Sequence, residues 1–171
     1  MEFFNYYEAR LSYPRLRKND EKIILIKMKV SLLAIFLLCI FSKTLFADEP
    51  KNLVVTTFDG KDFDLKKLRG KIVVVNFWAY WCENCARAMV EIDELHKECP
   101  DIDIIGLSID RKTSLKEILA RADKLSYANA LLANASVNNF PEIEMIPTTY
   151  IVNENGVAKK INGVPKCSQL K

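Results

Sequence analysis

Lys71–Cys85 reads KIVVVNFWAYWCENC, and the change of pattern inside it decides the fold. Lys71–Trp78 is almost continuously apolar and rich in Val, the signature of a strand buried on both faces. From Glu83 the apolar period becomes helical. Met89, Ile92 and Leu95 recur every three residues, while Glu91, Glu94 and Lys97 face outward. Pro100 stops that helix. Cys82 and Cys85 therefore sit where a buried strand hands over to a helix, and reactive groups gather at the carboxyl ends of such strands. A thiol in the first helical turn faces unpaired backbone N–H groups and the positive end of the helix dipole, which favour its thiolate. Cys85 lies on the same face within bonding reach. The expected arrangement is an exposed nucleophile, Cys82, and a partly buried partner, Cys85, that resolves the mixed disulfide.

Outward from this stretch, Leu53–Phe58 is a short apolar lead-in with a turn at Asp59-Gly60, and Ile102–Ile109 is a second buried strand. Thr113 or Ser114 is placed to cap a helix with Leu115, Ile118, Leu119 and Ala122 on one face, and Glu117 to close a capping box. Ala128–Ala133 reads as a short strand and Ala135–Phe140 as a short helical turn. Thr148–Val152 is a strand, Asn153-Glu154-Asn155-Gly156 a hairpin turn and Val157–Ile161 the return strand. Val164–Lys171 has room for about two helical turns at most. The order predicts an α/β domain whose central mixed sheet is parallel in its first half, antiparallel at its end, and flanked by helices.

The N-terminus carries a different signal. Val30–Phe41, VSLLAIFLLCIF, is an uninterrupted run of apolar and small residues between Lys27 and Lys29 on one side and Lys43 on the other. Its length suits a signal-peptide core of about 7–15 residues better than a membrane span of about 20. With Leu45-Phe46-Ala47 as a cleavage site, residues 28–47 are expected to be a signal peptide; the alternative is a membrane anchor over residues 30–47. Met28-Lys29 supplies the short basic start of a signal, so residues 1–27 read as an upstream extension or a short cytoplasmic tail. Residues 48–171 are then an extracytoplasmic domain, periplasmic or otherwise exported. From Asp48 onward 17 Lys and Arg face 18 Asp and Glu. Without a basic run or an Arg stripe between aromatics, nucleic-acid binding has no support. Outside the cytoplasm a thiol pair persists once oxidised, and this part keeps Cys82, Cys85, Cys99 and Cys167.

A metal centre fits these residues less well. Structural zinc wants four ligands, usually as two pairs, and here there is one pair, two separate cysteines and a single histidine, His96. A copper chaperone would show wider cysteine spacing and a downstream histidine. The reading is a redox dithiol with no cofactor and no metal.

Gly70-Lys71 leading into IVVVNFWAYWCENC, followed by Ile146-Pro147-Thr148-Thr149-Tyr150-Ile151-Val152 and its hairpin, resembles the thioredoxin superfamily. More narrowly, the chain is similar to exported TlpA/ResA-like thiol–disulfide oxidoreductases from about Leu53 to Gly163. The resemblance implies a thioredoxin fold with Cys82 attacking and Cys85 resolving. It implies that Pro147 is a cis-proline, and that Trp81, Ile146, Pro147 and Thr148 receive an extended substrate. It also implies partners: exported cysteine-containing proteins as substrates, with apocytochrome c before haem attachment as the suggested class, and a membrane thiol carrier as electron donor.

The chain departs from that family in three ways. Thioredoxin has a buried Asp where this chain has Asn76, and many TlpA/ResA-like proteins have a Glu where it has Ala88. Neither place offers a base for the resolving thiol, and the nearby Glu83 and Glu91 are expected to be solvated. Met89-Val90 replaces a helix-kinking proline, so the helix should run straighter. The final helix is shortened almost to nothing, and Cys99 and Cys167 either pin that tail through a second disulfide or stand apart. Between the cysteines, Glu83 opposes a stable thiolate and Asn84 replaces a common proline, and both favour a reductant. The alternatives are a disulfide oxidase or isomerase on the same fold, or a non-catalytic module that binds thiol or metal-carrying partners. Peroxidase chemistry fails on Ala79, where a Thr would be needed.

Overall fold

The structure is a computed structural model that describes residues 22–23, 25–33 and 49–170. The chain divides into two units, Met1–Ala47 and Asp48–Lys171. In the first, residues 25–33 are helical, and no helix among the described residues is long and apolar enough to cross a membrane. Most of the segment expected to be a signal peptide or anchor lies outside the described residues, as does the greater part of residues 1–27.

The second unit runs β1 (Leu53–Thr56), β2 (Asp62–Asp64), β3 (Val73–Trp78), α1 (Glu83–Glu98), β4 (Asp103–Ser108), α2 (Leu115–Ala122), β5 (Ala128–Leu131), β6 (Val137–Asn138), β7 (Thr148–Val152) and β8 (Ala158–Ile161). Its main sheet has the order β5-β4-β3-β7-β8. β3 pairs parallel with β4 and β4 with β5, whereas β7 is antiparallel to both β3 and β8. Every residue of β3 is buried, as its unbroken apolar run requires of a central strand. Alternation then separates two cores. Val73, Val75 and Phe77 pack with Leu53, Val55, Leu65, Phe140 and Tyr150 on one face. On the other face Val74 meets Ile92 and Leu95 of α1, and Trp78 meets Met89 of α1 and Ile118 of α2.

A second, three-stranded sheet of order β2-β1-β6 was not expected from the sequence. It also overturns the helical turn at Ala135–Phe140. Leu132–Asn134 forms a 3-10 turn, and Val137–Asn138 pairs antiparallel with β1. The Ser136 and Asn139 N–H groups donate to the Val54 and Asn52 carbonyls (2.9 and 3.2 Å), so donors that a turn would use internally go to a neighbouring strand. The capping box on α2 does not form either. Ser114 bonds no backbone N–H through its side chain, because a 3-10 turn at Lys112–Ser114 runs directly into the helix and supplies the Lys112 carbonyl to the Leu115 N–H. The apolar face of α2 is narrower than expected: Ile118 and Ala122 are buried, but Leu115 is exposed.

α1 runs unbroken for 16 residues. Asp93 fastens it to the segment before β5. Its Oδ1 accepts from the Ser126 N–H (2.6 Å) and hydroxyl (2.7 Å), and its Oδ2 accepts from Lys97 Nζ (2.5 Å). Burial alone would raise this carboxyl, but the Lys97 ammonium and the Ser126 donors outweigh it and lower its pKa from 3.8 to about 2. A carboxylate with a depressed folded pKa stabilises the fold above its unfolded value and loses that contribution as pH falls through the folded one. Asp93 should thus contribute about 2 kcal/mol at neutral pH, fading between pH 3.8 and about 2. Asp93→Asn is expected to flatten that stretch of the acid-unfolding curve followed by circular dichroism. An unchanged curve would contradict the assignment.

Candidate active site

The junction of β3 and α1 is built as the sequence implies. Ala79 to Trp81 turn the chain after Trp78, with the Cys82 N–H donating to the Ala79 carbonyl (3.2 Å). Cys82 is the N-cap of α1 in extended conformation, and its sulfur accepts from the Cys85 N–H at 3.1 Å. That bond satisfies one of the free donors of the first turn and points the helix's positive end at the sulfur. Cys82 and Cys85 are paired, with Cα atoms 5.2 Å apart, inside the usual disulfide range.

The expected asymmetry is present but weaker on the outer side. Cys85 is fully buried, and Cys82, expected to be exposed, retains only 8% of its surface. The reason is its company. Both sulfurs lie in a cluster with Trp78, Ala79 and Met89, against which Tyr80 and Ile146 pack. Trp81, one residue before Cys82, is 65% exposed. Glu83 and Glu91 are solvated, and Ala88 is half-buried.

The second motif arrives through β7, which hydrogen-bonds beside β3. Phe77 is in register with Thr148, and the Ile146–Pro147 peptide bond is cis. Ile146 joins the cysteine cluster, Pro147 is half-buried, and Met145 before them is exposed. Thr148 is turned inward: it is buried, and its hydroxyl donates to the Met145 carbonyl (2.7 Å). Of the residues expected to receive substrate, Trp81, Ile146 and Pro147 keep accessible surface, while the Thr148 side chain is committed to the loop.

Under α1 the sheet carries a polar row of which the sequence marks only Asn76. Asn76 lies on the α1 face of β3 between Val74 and Trp78, in register with Thr149 on one side and Gly106 on the other, and Gly106 is in register with Asn129. Asn76 Nδ2 donates to Thr149 Oγ1 (3.1 Å), and Asn129 Nδ2 to the Tyr127 carbonyl (2.9 Å). Gly106 is required here: a Cβ would strike the Asn129 carboxamide and the Trp78 indole nitrogen. Sequence reasoning also missed Asp110, a buried carboxylate whose Oδ2 accepts from the Tyr80 N–H at 2.8 Å. The signal was available in Ser108-Ile109-Asp110, a polar pair at the carboxyl end of a buried strand beside the motif.

At the opposite end of α1, Cys99 and Cys167 are paired, with Cα atoms 5.9 Å apart. The tail after β8 is a 3-10 turn, Cys167–Gln169, in place of a helix. It lays Leu170 into the core formed by Val74, Leu95, Ile102, Ile104 and Tyr127.

A dithiol at a strand-to-helix junction, set beside a cis-proline loop on this five-stranded sheet, defines the thioredoxin fold and its thiol–disulfide oxidoreductases. The chain belongs to the AhpC/TSA family, whose model matches residues 47–161. It is 31% identical over 126 residues to the thiol-disulfide oxidoreductase ResA of Bacillus cereus, covering 71% of this chain and 72% of that protein. It is also 31% identical over 109 residues to the thioredoxin-like protein YneN of Bacillus subtilis, covering 62% and 64%. Among solved structures, StoA from Bacillus subtilis superposes with a TM-score of 0.53 at 20% identity, over 72% of this chain and 96% of StoA. The exposed lipoprotein thioredoxin Etrx1 of Streptococcus pneumoniae gives 0.54 at 20% identity, over 67% and 91%. These two superpositions bear on the fold, and the ResA relationship bears on the chemistry: the chain is a thiol–disulfide oxidoreductase.

Proposed function

We propose that the chain acts outside the cytoplasm as a reductant of disulfides in exported proteins, with Cys82 attacking and Cys85 resolving. The observation that carries this reading is the Cys82 sulfur, held at the N-terminus of α1 by the Cys85 N–H, with Cys85 buried behind it. In the dithiol form, the Cys82 thiolate attacks one sulfur of the substrate disulfide. A Cys82–substrate disulfide forms and a substrate thiolate leaves and takes up a proton. Cys85 then loses its proton and attacks Cys82 Sγ, so the Cys82–Cys85 disulfide forms and the second substrate thiolate departs. Two electrons pass from enzyme to substrate, and a thiol donor, by this reading carried in the membrane, restores the dithiol.

Glu83, exposed directly after Cys82, adds a negative charge that disfavours the thiolate form and so favours giving electrons away. Ala79, fully buried three residues before Cys82, provides no hydroxyl for peroxide chemistry. Apocytochrome c before haem attachment is the substrate class proposed, and Trp81, Ile146 and Pro147 the surface that receives it. Residues 28–47 act as a signal peptide or anchor in this account. Equilibration with glutathione tests the direction of flow. The expected potential lies nearer that of thioredoxin, about −270 mV, than that of DsbA, about −120 mV. A value at the oxidising end would reverse the proposed direction.

A further inference from the structure

The approach to Cys82 is held by a side chain that belongs to a different strand. As β3 and β4 end, their ladder continues for one bond, the Ile109 N–H donating to the Trp78 carbonyl (2.9 Å). At the next position the backbone acceptor is replaced by Asp110, whose Oδ2 takes the Tyr80 N–H (2.8 Å). The same oxygen accepts from the Ser108 hydroxyl (2.8 Å), and the Asp110 N–H donates back to Ser108 Oγ (3.2 Å). Asp110 is 8% exposed. Asp93 is the other buried carboxylate among the described residues, and it is matched by the Lys97 ammonium. Asp110 takes part in no ion pair among the described residues. Asp110 borders a cavity of about 280 Å³ together with Tyr80, Trp81 and Arg111.

A brace for one N–H and one hydroxyl does not need a charge, since a neutral carbonyl oxygen with two lone pairs accepts both. Burying a carboxylate without a cation costs free energy that a neutral acceptor would avoid. Asp110 keeps its carboxylate there nonetheless, and the backbone it braces at Tyr80 leads two residues on to Cys82. We propose that Asp110 is a positioning residue for the dithiol: it fixes the Tyr80-Trp81 turn through the Tyr80 N–H, and its negative charge disfavours the Cys82 thiolate, biasing the pair toward the disulfide. Glu83, in the first turn of α1, acts in the same sense, while Arg111, which lines the same cavity, and Arg87 of α1, which donates to Asn84 between the cysteines, act in the opposite one.

Asp110→Asn tests this, because it keeps an oxygen for the Tyr80 N–H and removes the charge. In a glutathione redox buffer the variant's equilibrium should move at least about threefold toward the dithiol, equivalent to about 14 mV at 29.6 mV per decade. Alkylation of Cys82 in the reduced variant by iodoacetamide at neutral pH should speed up by a similar factor. Ser108→Ala, which leaves the charge in place, should keep the wild-type potential. Identical potentials and alkylation rates in wild type and Asp110→Asn would overturn the proposal and leave Asp110 as a brace alone; a Ser108→Ala shift as large as that of Asp110→Asn would overturn the role of the charge. The proposal rests on Cys82–Cys85 being an exchanging pair. Failure of that premise shows separately, as a wild-type pair that does not equilibrate with glutathione.

Discussion

Replacing Cys82 by Ser is expected to abolish disulfide exchange, with a loss of at least about a thousandfold, because a hydroxyl at neutral pH offers no counterpart to a thiolate. Replacing Cys85 by Ser is expected to end turnover by a different route. Cys82 can still attack, but nothing resolves the product, and the protein accumulates as a mixed disulfide. The difference follows from burial: Cys82 keeps a little surface and Cys85 none. Reaction with a peptide disulfide, followed by mass spectrometry with each variant, separates the two: an adduct forms with Cys85→Ser and none with Cys82→Ser. Equal adduct formation in both would mean that neither sulfur has the role assigned to it.

The second large effect concerns stability and leaves the chemistry alone. The Cys99–Cys167 bridge closes a loop with a sequence separation of 68 residues. By the chain-entropy argument such a loop is worth about 4 kcal/mol, with measured bridges commonly giving about 2–4. It also holds Leu170 over apolar surface between α1 and the sheet, where thioredoxin domains place a helix. Cys99→Ser with Cys167→Ser is expected to lower the melting temperature by roughly 10 °C for a domain of this size. The Cys82–Cys85 potential should be unchanged. A calorimetric melt that does not move would show that the tail's packing suffices without the bridge.

How much of this was legible in the sequence depends on where each residue's partner lies. Lys71–Trp78 and the Met89, Ile92, Leu95 period were readable because each pattern is long and local. The cysteine pair falls at their junction, so its place at a helix N-terminus followed directly. β2 and β6 have three and two residues, too few for any period, and β6 exists because β1 accepts its backbone. The near burial of Cys82 was missed because Ile146, 64 positions away, packs against the cluster that holds it. Asp110 was missed for the same reason, its partner being a backbone N–H 30 residues earlier. Asn76 was recognised as an anomaly, but its neighbours Thr149 and Asn129 become neighbours only through strand register.

Cys82 is proposed as the attacking sulfur toward disulfides of exported proteins. The most direct test is to express the full chain carrying Cys85→Ser, quench the thiols with acid and map the trapped species by mass spectrometry. Mixed disulfides through Cys82 to cysteines of other exported proteins are expected, absent when Cys82 is also replaced. Adducts through Cys99 or Cys167 instead, or none at all, would contradict it.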